Sequence, residues 1–195
     1  MKIILLIILM SGFLISLLSF IKGEDLYEPP FKLIEISNNI QIREYQNILI
    51  AITKKQSPYN SATSSGFRTL ANYIFGGNKE QVKMPMTAPV FTTIPGNESI
   101  SISFVMPNKY SKNDLPKPVS KDIEFKNLEL GMTAVIQFGM WATPERIQKM
   151  KSKLEKYLDT NNLEPSSDYL VAQYNSPWTL PPFRRNEILV SINKN

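Results

Sequence analysis

Histidine and cysteine are both absent from this 195-residue chain. Their absence removes thiolate metal sites, imidazole metal ligands and the usual nucleophile–base pairings of hydrolases. Without cysteine there is no disulfide, so in an oxidising compartment the domain must be stable on its core alone. Its length allows that. Long runs of one charge are missing too: basic residues cluster no further than in pairs, although the formal net charge is +5. Setting aside residues 1–23 removes Lys2 and Lys22 and no acid, which leaves +3. A mildly basic, solvated surface follows, and not a nucleic-acid groove. No phosphate-binding loop or nucleotide fingerprint is present. The carboxylates Glu35, Glu44, Glu124, Glu129 and Glu187 are scattered along the chain, so no catalytic or metal-ligating residue is assigned.

What is present begins with an uncharged, mostly apolar run over residues 3–21, preceded by Lys2 and followed by Lys22-Gly23-Glu24. A basic start, an apolar stretch and a small residue before an acidic segment read as a secretory signal cut after Gly23. The run is also long enough to span a bilayer, so a signal anchor is the alternative. The expected location is secreted or in the secretory-pathway lumen, with membrane anchoring through residues 3–21 only if the leader is uncleaved. Asn97-Glu98-Ser99 is a glycosylation sequon in an expected turn after Pro95-Gly96. Residues 24–195 form the expected domain, and 43% hydrophobic with 20% charged residues is ordinary for a globular one.

Periodicity divides that domain into two halves of similar order. Alternating apolar residues predict strands over 32–36 and 40–43, and a more continuously apolar run predicts a buried strand over 48–53. From about Ser61 the period changes: Phe67, Leu70, Ala71 and Ile74 fall on one helical face, and Gly76-Gly77 supplies a left-handed stop. Strands follow near 90–94 and 100–105. The second half repeats this with strands over 123–125 and 133–138, then a helix opened by Thr143 as cap and Pro144 at its first position. Ile147, Met150, Leu154, Tyr157 and Leu158 are its expected buried face, and strands at 169–174 and 187–192 close the chain. The predicted class is α+β, with two similar strand–helix–strand halves forming a curved antiparallel sheet or distorted barrel flanked by two helices.

Two segments are dense in residues that set backbone shape. Lys83-Met84-Pro85-Met86-Thr87-Ala88-Pro89-Val90 holds an extended path through its prolines and reads as a rigid connection packing the helix on the sheet. Tyr174-Asn175-Ser176-Pro177-Trp178 reads as a strand end and rigid loop, with Trp178 placed to anchor that loop to the core. Arg184 and Arg185 are either pocket rim or partners of Glu187 or Glu44. Ile42-Arg43-Glu44-Tyr45 reads as an amphipathic strand with its charges outward. Together with Gly66-Phe67-Arg68 and Gly76-Gly77-Asn78, these segments resemble the SOUL haem-binding protein family, from about Tyr27 to Ile192.

The resemblance implies reversible binding of haem or another tetrapyrrole, as carrier or buffer, in an apolar groove beside the first helix. Carried over by position, the ligand-binding residues are Ser64, Phe67, Arg68, Ala71, Asn72 and Phe75 on the helix. Pro181 and Arg184 come from the loop before the last strand. Helical geometry adds that Ser64, Arg68, Asn72 and Phe75 share one flank, where an aromatic and an arginine can meet a flat macrocycle and its propionate. The plainer reading is that Phe75 covers the helix end and Arg68 is solvated. A position that is basic in the family's strongest haem binder is Asn72 here, Arg68 is the helix's only cation, and no histidine can ligate iron. Tyr59 and Tyr73 are the phenolate alternatives on or near this helix, and Met84 or Met86 the thioether ones. A ligand-free interaction or scaffold protein on the same fold, and a small esterase-like enzyme, remain the other readings.

Overall fold

A computed structural model describes residues 26–193 apart from Ser57 and Asn97. The leader at 1–23 and the acceptor asparagine of the sequon therefore lie outside the described residues. The elements are β1 Phe31–Ser37, β2 Ile40–Tyr45, β3 Ile48–Lys55, α1 Tyr59–Ile74, β4 Val90–Thr93 and β5 Ile100–Val105. The second half holds β6 Glu124–Leu128, β7 Met132–Phe138, α2 Pro144–Thr160, β8 Leu170–Gln173 and β9 Asn186–Ser191. All nine strands join one antiparallel sheet in the order β1-β2-β7-β9-β8-β4-β5-β3-β6. It curls into a half-barrel with two helices against it, the α+β class expected from the sequence.

That order is a near-palindrome about the β8–β4 pair. β7-β9-β8 on one side mirrors β3-β5-β4 on the other, and each half lends the strand preceding its own set across: β2 pairs with β7, and β6 pairs with β3. Neither half can complete its sheet alone. α1 packs on β3 and β5, burying Ala62, Leu70, Tyr73 and Ile74 against Ala51, Ile102 and Phe104. α2 packs on β7 and β9, burying Ile147, Leu154 and Leu158 against Ala134, Ile136, Ile188 and Val190. Alternate residues of the same strands, including Val135, Leu189, Ala172, Val105 and Ile50, point to the opposite face and form a third cluster. All three clusters lie within the described residues, so the domain contains its own core. Among those residues no helix is long and apolar enough to cross a membrane.

The helix ends follow the local chemistry. Thr143 accepts a hydrogen bond from the Arg146 amide at 3.3 Å, with Pro144 at the first helical position. Gly76 takes φ 106° just past α1, a backbone region that favours glycine. The Met84 segment carries a cis Ala88-Pro89 bond, and Met84 is buried in the α1 cluster, as a packing connection requires.

One strand expectation is corrected. Arg43 does not face outward: it is only 1% exposed, and its guanidinium forms a two-pronged pair with Glu187 at 2.9 Å on each arm. The alternation of β2 is intact, but its second face meets the inside of the curled sheet, where solvent was expected. Glu44, on the other face, is exposed.

Candidate functional site

Where the two halves meet, a groove of about 540 Å³ runs over the central strands. Its floor includes Val90 and Gln173, which face each other across the β4–β8 pair, and Thr92 beside them. One wall is the N-terminal half of α1, through Tyr59, Asn60, Thr63, Ser64 and Phe67. The other is the β7–α2 connection, residues 141–144, with Asn175, Pro177 and Arg184 of the β8–β9 loop closing the end. The groove thus sits between the two helices on the axis relating the halves. An interface between structural repeats is a common place for a ligand cleft.

The structure brings three of the eight sequence-predicted residues to this groove: Ser64, Phe67 and Arg184. Phe67 packs edge-on against Phe104 at 5.2 Å, which joins the wall to the core. With Phe67 as zero and about 100° per residue, the wall residues of α1 span roughly −80° to +60°. Phe75, Arg68 and Asn72 fall at about +80°, +100° and +140°, past its edge. Arg68 is accordingly exposed, and Phe75 is 56% exposed beyond the helix end. Ala71 points near the groove direction but lies a turn further along, packed into the α1 cluster.

Asn72 has a different task. Its carbonyl accepts the Gly77 amide at 2.8 Å, and a Cβ on Gly77 would come within 2.2 Å of its side-chain nitrogen. It closes the helix end against a glycine that must be bare. Pro181 opens a single 3-10 turn, Pro181–Phe183, and its carbonyl accepts the amides of Met140 at 3.1 Å and Arg184 at 3.2 Å. It ties the two connections together without lining the groove. Trp178 does not anchor its loop to the core; it is 91% exposed. The loop is held instead by Arg184, which donates to the Pro177 carbonyl at 2.6 Å.

Arg184 is the groove's cation. Its guanidinium lies over the Trp141 ring at 3.8 Å, and its Nε is buried with no hydrogen-bond partner among the described residues. It pairs with neither Glu187 nor Glu44. Burial lowers its pKa, so the charged form lacks part of the solvation it would have in water. Arg185 turns the other way, stacking on Tyr174 at 3.5 Å and pairing with Glu28. Among the described residues no carboxylate lines the groove.

Of the iron-ligand alternatives, Tyr59 alone reaches the groove, and its hydroxyl shares a 2.9 Å hydrogen bond with Thr92. Burial raises its pKa, which keeps the phenol protonated. Tyr73 is buried on the core side, donating to the Pro116 carbonyl at 2.8 Å. Met84 is 3% exposed within the α1 cluster. Among the described residues no group of three or more His, Cys, Asp or Glu could hold a metal ion.

Sequence reasoning missed Trp141 and the floor residues. Thr143-Pro144 marked a helix start, but nothing local says that this start faces α1 across the β4–β8 seam.

Comparison with known proteins agrees with this architecture. The family model described as SOUL heme-binding protein matches residues 26–191. Human heme-binding protein 2 is 29% identical over 163 residues, covering 80% of this chain and 78% of its own length. Among solved structures, the EcmrR C-terminal domain superposes with TM-score 0.62 at 12% identity, covering 85% of this chain and 99% of that one. A hydrolase from Listeria innocua superposes with TM-score 0.58 at 7% identity, covering 82% and 94%. At such identities these two report the fold alone. The motifs, the duplicated sheet and the match over nearly all described residues lead to one conclusion: this chain belongs to the SOUL heme-binding protein family.

Proposed function

We propose that this protein binds haem or a related tetrapyrrole reversibly in the seam groove, as a carrier or buffer, and performs no reaction on it. The observation that carries this reading is Arg184: a guanidinium stacked on an indole, with a buried N–H that has no acceptor, and no acid lining the groove, among the described residues. Such a group is matched by a ligand that brings its own carboxylate and a flat apolar body. Tyr59, Phe67, Val90, Trp141 and Pro177 supply apolar surface, and a volume of about 540 Å³ lies in the usual range for small-ligand clefts. Family membership and the name of the human relative, heme-binding protein 2, point to the same ligand class.

Retention rests on packing and the carboxylate contact, with no protein ligand to iron. The chain has no histidine, Tyr59 is engaged with Thr92, Met84 is in the α1 cluster, and Met86 packs against that cluster. An iron-free porphyrin is therefore expected to bind comparably. The open groove favours this reading over a scaffold that has lost its ligand. The lack of any carboxylate among the described residues of its walls favours it over ester hydrolysis, which needs a base beside its nucleophile.

The test is a hemin titration of residues 24–195, following the Soret band. One-to-one saturation is expected, with Arg184→Ala weakening binding about ten- to a hundred-fold through loss of a charge-assisted hydrogen bond. Arg68→Ala should titrate like the parent. Binding that never saturates would sink the proposal. Weakening by Arg68→Ala but not Arg184→Ala would move the site to the outer helix flank.

A further inference from the structure

Beside the groove, the β7–α2 and β8–β9 connections are hydrogen-bonded into one unit. Met140 donates its amide to Pro181 at 3.1 Å, and Asn186 donates its side-chain amide to the Met140 carbonyl at 2.9 Å. Short local turns, Thr179 to Ser176 and Phe183 to Leu180, stiffen the longer loop. This unit holds five large apolar side chains in solvent: Trp178 at 91% exposure, Leu180 and Phe183 at 63%, Trp141 at 49% and Met140 at 41%. Single exposed hydrophobics are ordinary; five on two mutually bonded loops form a patch.

The patch continues into a cavity of about 540 Å³ that Met140 shares with Arg146, Lys149 and Lys153 of α2. Among the described residues Glu145 is the one acid in its lining. Lysine is depleted from protein–protein contacts, whereas exposed tryptophan and phenylalanine backed by cations suit the headgroup zone of a bilayer containing acidic lipid.

We propose that this patch docks the domain on an anionic phospholipid surface. Trp178, Leu180 and Phe183 enter the boundary between headgroups and acyl chains, and Arg146, Lys149 and Lys153 meet the lipid phosphates. Trp141 and Arg184 lie where the patch borders the groove, so a docked domain exchanges its apolar ligand with the bilayer. That last consequence rests on the tetrapyrrole reading; docking itself does not.

The experiment is vesicle sedimentation of residues 24–195, which contain the whole core, with tryptophan fluorescence as a second readout. Phosphatidylcholine vesicles are compared with vesicles that also contain phosphatidylserine. Binding to the anionic vesicles with a blue-shifted emission is expected. The Trp178→Ser/Phe183→Ser and Lys149→Gln/Lys153→Gln variants should each lower the partition coefficient about tenfold. None of these four residues lines the groove, so hemin titrations of the same variants in buffer should be unchanged. Protein that stays in the supernatant with both vesicle types overturns docking, as do variants that bind like the parent. A dimer on size exclusion that Trp178→Ser/Phe183→Ser dissociates, without vesicle binding, assigns the patch to a second copy and also overturns it. Vesicle binding without saturable hemin binding would instead remove the proposed ligand and leave docking intact.

Discussion

Arg43 and Glu187 are both 1% exposed, and both are held by several hydrogen bonds. The pair bridges β2 and β9 over the intervening β7, from which Gln137 donates to Glu187 at 2.9 Å. Arg43 also donates to Gln41 and to the Tyr45 hydroxyl, each at 2.7 Å, while Tyr174 donates to Glu187 at 2.7 Å. Phe31 covers the guanidinium at 4.2 Å. Burial works against the charge of Arg43, but the hydrogen bonds and charge of Glu187 outweigh it, and its pKa is raised. A satisfied buried pair contributes little beyond a well-packed apolar one, whereas a broken pair leaves a charge without solvent or partner. Glu187→Ala is expected to cost about 3–5 kcal/mol in urea denaturation, and Arg43→Met/Glu187→Leu far less. Equal, small losses in both would mean that water reaches the pair.

Helix α1 shows why propensity alone misjudges an element. Gly66 lies mid-helix, where alanine would normally gain about 1 kcal/mol. A Cβ there would meet Ile102 at 2.4 Å from Cδ1, 2.7 Å from Cγ1 and 3.1 Å from Cβ, so more than a flexible tip must move. Overpacking of this kind costs about 1–3 kcal/mol and outweighs the gain. Gly66→Ala should lower Tm by about 2–8 °C, and adding Ile102→Val, which removes the nearest atom, should recover part of it. An unchanged or raised Tm would show that α1 can lift from β5 at little cost. The C-terminal stop of α1 was legible in the sequence because a left-handed glycine acts within a few residues; its start at Tyr59, which has no side-chain cap, was not. Nor was the groove-facing arc of α1. Its direction depends on where β4, β8 and the β7–α2 connection lie.

At the scale of the whole molecule, burial acts on tyrosines in all three core clusters. Tyr45, Tyr59, Tyr73, Tyr169 and Tyr174 all have raised pKa values, with burial the largest cause in each. Around Tyr174 the charge of Glu187 adds to it. A phenol whose folded pKa exceeds its unfolded value of 10.0 contributes stability that is complete below that pH. The contribution is lost as pH rises through the folded values. Unfolding free energy should therefore be level up to about pH 9 and fall steadily from about pH 10. Urea titrations across that range, with phenolate absorbance recorded in parallel, test this. Five phenols ionising near pH 10 without loss of stability would contradict it.

The order of strands and helices, the Thr143 cap of α2, the glycine stop of α1, the duplicated halves and the family were legible in the chain by itself. Each depends on periodicity or on residues close in sequence. Three further features were decided only by tertiary structure: the burial of Arg43, the exposure of Trp178, and a groove using Ser64, Phe67 and Arg184 but not Arg68, Asn72 or Phe75. Arg43 and Glu187 are 144 residues apart and meet because both flank β7 on the inside of the curl. Alternation in a strand tells which residues share a face; only the closing of the sheet decides what that face meets.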